Sequence, residues 1–213
     1  MYCLFAHTLK VLAIETSTHQ GSIAIRQEGK LLLIERFVHP RGGVEVLCRT
    51  LEQIIKREGR VHRIAVGIGP GTYNGIRAAI SLATGLKIAW RIPLCGIPSI
   101  LGIESLTERY AVVGDARGGS LFFGAVSGRH LENLQLLSHT EFQRKLYIWS
   151  QTCKDPVYAA APVPALPELR VLAPSAGKLA FLAEEYPTSE QGPSPLYLKP
   201  PHTTQSTSSQ FIF

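Results

Sequence analysis

Gly67-Ile68-Gly69-Pro70-Gly71-Thr72-Tyr73-Asn74-Gly75-Ile76-Arg77 joins a short β run, Ile64 to Ile68, to a helical pattern that continues to about Trp90. Two nucleotide-binding signatures fail on it by spacing. G-x-G-x-x-G begun at Gly67 needs glycine at 72, where Thr72 stands. G-x-x-x-x-G-K-[ST] needs a Gly-Lys pair, which the loop lacks. What remains is a strand-to-helix turn whose free backbone N–H groups offer a generic anion site.

The helix after the loop carries glycine at 75 and 85, each disfavoured by about 1 kcal/mol relative to alanine. Gly75, Ala78, Ala79, Leu82, Gly85 and Ala89 form a stripe of mostly small residues, with Ile76, Ile80, Ala83 and Lys87 beside it. Small side chains allow another backbone to come close. From composition alone, the partner of this stripe is the preceding helix. That helix is read from Val44, Leu47, Cys48, Leu51, Ile54 and Ile55 at helical spacing, and Gly59 closes it.

Upstream, Val11–Ile14, Ser22–Arg26 and Leu31–Val38 read as three antiparallel strands with turns at Gly21 and Glu28-Gly29-Lys30. Downstream, Leu94–Ile97 is a strand and Pro98-Ser99 opens another helix. The second half begins as the first did. Ala111–Asp115, Leu121–Val126 and Leu131–Leu137 are three strands, and Ser138 with Glu141 makes an S-x-x-E capping box for a helix. Val157–Ala161 is a buried strand, a Pro-rich connection follows, and a last helix spans about Ser175–Tyr186. The tail from Thr203 to Gln210 has the composition of a disordered end. Each half thus opens with three strands and then alternates helices and strands, which implies two similar α/β lobes side by side.

The 213 residues carry 22 Lys+Arg against 16 Asp+Glu, a net charge of +6, with 45% hydrophobic residues. That is enough for a buried core, and no apolar run approaches the ~20 residues of a membrane helix. The apolar start, Met1 to His7, lacks a charged n-region and a small-residue cleavage site, so it does not read as a signal peptide. Residues 1–105 hold 13 basic and 7 acidic side chains, and residues 106–213 hold nine of each, so the excess lies entirely in the first half. Lys56, Arg57, Arg60 and Arg63 form a basic run at the end of the first helix. Cys3, Cys48, Cys95 and Cys153 are 45, 47 and 58 residues apart, which suits free thiols in a reducing cytoplasm.

None of the seven histidines pairs with another at i+3 or i+4, and no G-x-S-x-G elbow occurs. Two acidic residues, Glu15 and Asp115, end the first strand of each half. Facing across a cleft, they could bind a metal or act as acid and base. A carboxylate that accepts hydrogen bonds from its own turn is the plainer reading.

Five segments, in order over residues 10–199, then carry a resemblance. They are Leu12-Ala13-Ile14-Glu15-Thr16-Ser17, Gly69 to Arg77, Gly96-Ile97-Pro98-Ser99, Asp115-Ala116-Arg117 and Pro195-Leu196-Tyr197-Leu198. The chain resembles the bacterial TsaB (YeaZ) family. The resemblance implies a two-lobed actin-like (ASKHA) fold, each lobe a mixed sheet flanked by helices. Its expected parts are residues 1–107, residues 108–200 with a final helix that packs back on the first lobe, and a tail at 201–213. It implies a cytoplasmic, non-catalytic subunit without cofactor or metal, which supports a TsaD-like catalytic paralogue in making threonylcarbamoyladenosine in tRNA. A TsaE-like ATPase joins the assembly, tRNA is met through the complex, and the chain alone forms a homodimer. An independent actin-fold ATPase or a glycoprotease-like peptidase is the alternative.

The resemblance also implies a partner interface on the two helices and the loop: Leu47, Leu51, Gly69, Pro70, Gly71, Thr72, Tyr73, Gly75, Ile76, Ala79, Ile80 and Ala83. Glu15, Thr16, Ser17, Asp115 and Arg117 are its cleft candidates. The paralogue's H-x-x-x-H is replaced here by Val44-Glu45-Val46-Leu47-Cys48. Three departures stand out. Arg41-Gly42-Gly43 lacks the His-Ser-type residues expected before the first helix, Glu15 replaces a common Asp, and the first nine residues precede the family's usual start.

Overall fold

Strands β1 (Lys10–Glu15), β2 (Gln20–Gln27) and β3 (Lys30–Val38) form an antiparallel meander. β4 (Arg63–Gly67) adds parallel to β1 and β5 (Leu94–Ile97) parallel to β4, giving the order β3-β2-β1-β4-β5. The computed structural model describes residues 9–38, 44–116, 118–188 and 190–199. The readings made on residues 1–8, Arg41-Gly42-Gly43, Arg117 and the 201–213 tail lie outside the described residues.

A strand sends alternate side chains to opposite faces. Here Leu12, Ile14, Ile23, Ile25, Ile64 and Val66 go one way, under helices α1 (Glu45–Glu58) and α2 (Tyr73–Trp90). The smaller Ala13, Ala24, Ala65 and Cys95 go the other. Their short side chains let the last helix, α4 (Ala176–Leu182), pack directly on β1 and β2. α1 buries Leu47, Leu51 and Ile54, a stripe at helical spacing. Each such side chain stabilises the lobe by roughly 1.5–3 kcal/mol on burial. Gly59 ends α1 at φ 71°, a conformation glycine adopts without strain.

The second lobe repeats the plan. β6 (Arg109–Asp115), β7 (Ser120–Ser127) and β8 (His130–Ser138) form a meander, and β9 (Val157–Ala159) adds parallel to β6. Even the irregularities recur: the meanders carry a register shift at Ile25/Arg26 and at Ala125/Val126. A fifth strand survives only as a bridge between Ala159 and Val171. Helix α3 (His139–Thr152) starts with the capping box expected of Ser138 and Glu141. It packs Phe142 and Trp149 against Phe123, with both ring pairs T-shaped at centroid distances of 6.5 and 5.4 Å.

One core is shared by both lobes. Val11 and Cys95 of the first sheet, Val112 and Phe122 of the second, and Leu179 of α4 belong to it. Three expectations need correction. Gly21, read as a turn, lies inside β2, where a Cβ would meet the Phe37 ring at 2.4 Å, and the chain turns at Thr16–His19 instead. Pro98-Ser99 opens only a 3-10 turn, Ser99–Gly102, because all four residues are buried and Ile103 is already extended. α4 is regular only over Ala176–Leu182 and frays into turns by Glu185, before Pro187. Among the described residues no helix is long and apolar enough to cross a membrane.

The two helix glycines are in opposite situations. A Cβ on Gly75 would lie 2.2 Å from the Thr16 carbonyl oxygen, whereas a Cβ on Gly85 meets nothing within 4 Å. Gly75→Ala is therefore expected to lower the thermal midpoint despite alanine's better helix propensity. Gly85→Ala should raise stability by about 1 kcal/mol. Circular-dichroism melts of the two variants check both signs.

Candidate functional site

The glycine loop and the end of β1 are built against each other. The Thr72 amide donates to the Ser17 carbonyl at 2.7 Å. The Thr16 hydroxyl donates to the Gly75 carbonyl at 2.8 Å, and the Thr72 hydroxyl to the Thr16 carbonyl at 3.2 Å. Thr72 is the N-cap residue of α2, yet its side chain makes no cap bond; its hydroxyl is committed to Thr16 instead. A Cβ on Gly71 would lie 2.1 Å from the Ser17 carbonyl oxygen, so only glycine leaves room for this approach. The Gly69–Pro70 peptide is cis.

Behind the loop sits Glu15, 1% exposed. Its Oε1 accepts from the Ser17 amide at 2.6 Å. That is the plainer of the two readings of Glu15, a carboxylate bonded to its own turn. Its Oε2 has no hydrogen-bond partner of ordinary geometry among the described residues, and neither does the buried Ser17 hydroxyl. Room for the carboxyl comes from Gly67, where a Cβ would lie 1.9 Å from Oε2 and 2.7 Å from Ser99 Oγ. Burial pushes the Glu15 carboxyl above its ordinary range, and hydrogen bonding to Ser17, Ser99 and Thr16 offsets this only in part. Ser99 also accepts from the Gly69 amide at 3.0 Å, which ties the end of β5 to the loop.

A late segment closes over the loop from outside. The Leu196 amide donates to the Ile68 carbonyl at 2.8 Å, and Tyr197 stacks on Tyr73 with ring centroids 5.2 Å apart. Arg77 lies over the Tyr73 ring at 5.1 Å and donates to its hydroxyl at 2.8 Å. Lys199 donates to Ser120 Oγ at 2.9 Å, so the segment runs from one lobe to the other.

The proposed site residues therefore divide. Glu15, Thr16 and Ser17 are buried under the loop, and Asp115, the strand-end equivalent of Glu15, is exposed. Arg117 lies outside the described residues. Leu47, Leu51, Gly69, Pro70, Ile76, Ala79 and Ala83 are buried in the first lobe. Thr72, Gly75 and Ile80 are half-buried, while Gly71 and Tyr73 are exposed. Ser99, Gly67 and Tyr197 are not among the site residues read from sequence; Tyr73 is, but without its stacking partner. Pro195-Leu196-Tyr197-Leu198 marks the segment, but nothing in the sequence pairs it with a loop more than a hundred residues earlier. Among the described residues, no three His, Cys, Asp or Glu side chains are grouped to hold a metal ion, and Cys48, Cys95 and Cys153 are free thiols.

Two sheets in the repeated order, sharing one core and flanked by helices, define a two-lobed α/β protein of the actin-like type. The structure is similar to YeaZ from Pseudomonas aeruginosa, with a TM-score of 0.69 at 23% identity over 89% of this chain and all of that one. In sequence, the chain is 24% identical over 125 residues to the threonylcarbamoyladenosine biosynthesis protein TsaB of Escherichia coli, covering 54% of each. It is 25% identical over 128 residues to TsaB of Haemophilus influenzae, covering 55% of this chain and 54% of that protein. These matches span about half the length of the curated relatives. Residues 44–141 also match the family model described as TsaD, tRNA N6-adenosine threonylcarbamoyltransferase. The sequence likenesses, with the shared fold, support the TsaB/YeaZ family for this chain.

A carboxyl whose pKa is raised by folding favours the fold only where it is protonated, and that contribution is lost as pH rises above the unfolded-state value. Glu15→Gln keeps an oxygen for the Ser17 amide and removes the charge. It should therefore raise the urea midpoint at pH 7, and the gain over wild type should shrink as pH falls toward 4. Paired denaturation curves at the two pH values check it.

Proposed function

We propose that the protein acts in threonylcarbamoyladenosine biosynthesis on tRNA, as a non-catalytic subunit that binds and supports a TsaD-like catalytic paralogue. The observation that carries this reading is the sequence likeness to two TsaB proteins, matched by a YeaZ-like fold over nearly the whole chain. The non-catalytic role is supported by the first helix, which has no histidine from Val44 to Gly59, where the resemblance implies a metal-binding pair in the catalytic paralogue. A TsaE-like ATPase and tRNA belong to the same reading as members of the assembly, and the cytoplasm as its place.

The interface proposed for the paralogue, or for a second copy when the chain is alone, is the outer side of α1 and α2 with the loop. Since Leu47, Leu51, Ile76, Ala79 and Ala83 are buried, they shape this face from beneath. The groups available to a partner are Tyr73, Ser81, Gly85 and Ile88 on α2 and Cys48 and Glu52 on α1. Ile88 is 71% exposed, which is unusual for isoleucine, and Gly85 beside it leaves the helix backbone open. Two helix faces are large enough for a standard interface of about 1,600 Å².

Reconstitution with the TsaD-like and TsaE-like proteins and a tRNA transcript tests the role. The modified nucleoside should form with the chain present and fall to background without it. Ile88→Glu should abolish co-elution with the paralogue while leaving the unfolding free energy within about 0.5 kcal/mol of wild type. Normal co-elution of that variant would move the interface elsewhere.

A further inference from the structure

The parallel strands β1, β4 and β5 all begin at one end of the first lobe, and α1 and α2 both finish there. This is the end opposite Glu15 and the glycine loop. Hydrogen bonds join it into one surface. The Lys10 amide donates to His62 Nδ1 at 3.0 Å, and the His62 amide to the Lys10 carbonyl at 2.8 Å. Arg60 Nη2 donates to the Trp90 carbonyl at 2.8 Å, which sets Arg60 beside Arg91.

Not every cation here is free for a partner. Lys10 Nζ is bound to Glu58, and the Arg63 guanidinium is turned inward to the carbonyls of Glu184 and Tyr186. Lys56, Arg57, Arg60 and Arg91 remain exposed; the acids around them are Glu52, the half-buried Glu58 and, on the late segment that Arg63 and Lys87 tie to this end, Glu184 and Glu190. Lys56 and Arg57 are explained by their helix. They pair with Glu52 and Glu58 at 2.6 and 3.1 Å, and cations in a last turn favour the helix dipole.

Arg91 is different. It caps α2 at φ 54°, in the left-handed region, where α1 uses Gly59. That conformation is strained for a residue with a Cβ. Lys87 already places a cation in the last turn of α2, so a glycine at 91 would leave the dipole served and remove the strain. The Arg91 backbone N–H donates to the Lys87 carbonyl as the cap of α2, but its side chain is exposed and makes no hydrogen bond or ion pair with the described residues.

We propose that this end of the first lobe docks the phosphate backbone of an RNA, with Arg60 and Arg91 as its central cations. The guanidinium fork matches a phosphate with two parallel hydrogen bonds. Several neighbouring cations on a polyanion gain further from counterion release. A protein partner is favoured less by this surface, because the centre of a protein interface is depleted in charge, whereas nucleic-acid interfaces are strongly positive. The chain's whole charge excess lies in the half that builds this lobe. Taking the RNA to be tRNA rests on the function proposed above; the surface itself reads no sequence.

The test is fluorescence anisotropy of the full chain with a labelled tRNA transcript from 20 to 200 mM KCl. Binding should weaken steeply with salt. The doubly reversed variant R60E/R91E should bind at least tenfold more weakly at 50 mM and flatten the log–log salt slope by about 2. Arg144→Glu, on the second lobe, should change neither by a comparable amount. Arg91→Gly separates function from folding: RNA affinity should fall several-fold while the thermal midpoint rises by about 2–4 °C. It also carries the test if R60E/R91E does not fold. An arginine serving only as a cap would leave RNA binding unchanged and overturn the proposal. So would wild type failing to bind at 20 mM KCl, R60E/R91E matching wild type, or polyglutamate binding more tightly than RNA at equal charge. Co-elution with the TsaD-like paralogue is read on the same samples. Salt-dependent RNA binding at these arginines without paralogue binding would sink the proposed function and leave the surface standing. Paralogue binding with unchanged RNA affinity in R60E/R91E would do the reverse.

Discussion

Two backbone carbonyls, those of Thr16 and Ser17, occupy the space that side chains at positions 75 and 71 would need. The organisation of the first lobe's loop end follows from this contact. It requires glycine at both positions, draws the Thr72 hydroxyl away from capping its helix, and fixes the start of α2 against the end of β1. With the start fixed, helical spacing turns Ala79 and Ala83 toward the sheet and buries Ile76 beside Gly69 of the loop. Turning them outward would require breaking the backbone contact. The loop is a clamp between two chain segments, and its glycine spacing is the spacing of that clamp. This is why the nucleotide signatures, whose glycines open a backbone to phosphate, do not fit it.

The sealed carboxyl beneath the clamp is a second consequence. Glu15 ends β1 where the chain must turn, and its own turn supplies the Ser17 amide as donor. The remaining oxygen needs space that only Gly67 provides, and Ser99 closes the far side. Three glycines, at 67, 71 and 75, thus surround one strand end. Their combined effect is to bury a polar group that the second lobe leaves exposed at the equivalent position, Asp115.

The two meanders were legible as short β-forming runs with turns at Gly29, Gly118-Gly119 and Gly128, and the capping box at Ser138 and the stop at Gly59 carry their own local chemistry; the turn expected at Gly21 was not, because the chain turns at Thr16–His19 and Gly21 lies within β2. Tertiary surroundings were not legible. Periodicity reveals that α2 has a small-residue stripe, but Gly75 and Gly85 look alike in sequence, and only the fold shows one pressed on Thr16 and the other open. The basic run has the same ambiguity. Arg60 and Arg63 are three residues apart, yet Arg63 begins a strand and points its guanidinium inward, while Arg60 stays on the surface. The helix expected after Pro98 failed because a buried linker between two sheets has space for one tight turn only.

The difference between the lobes follows from what lies between β9 and Val171. In the first lobe, the corresponding stretch between β4 and β5 is the loop and an 18-residue helix. In the second, it is a Pro-rich connection that buries Val163 and Leu166 against the sheet and leaves the fifth strand as a single bridge. One helix, α3, then covers a face that takes two helices in the first lobe. Proline removes the backbone donors and the φ freedom a helix would need there, so the connection fills the core without building a helical surface. Among the described residues only the first lobe presents a pair of neighbouring helices, with the clamp at one end and Arg60 and the Arg91 cap at the other. A partner that recognises helix faces has one such pair to meet among the described residues, and the charge excess of the chain lies in the same lobe.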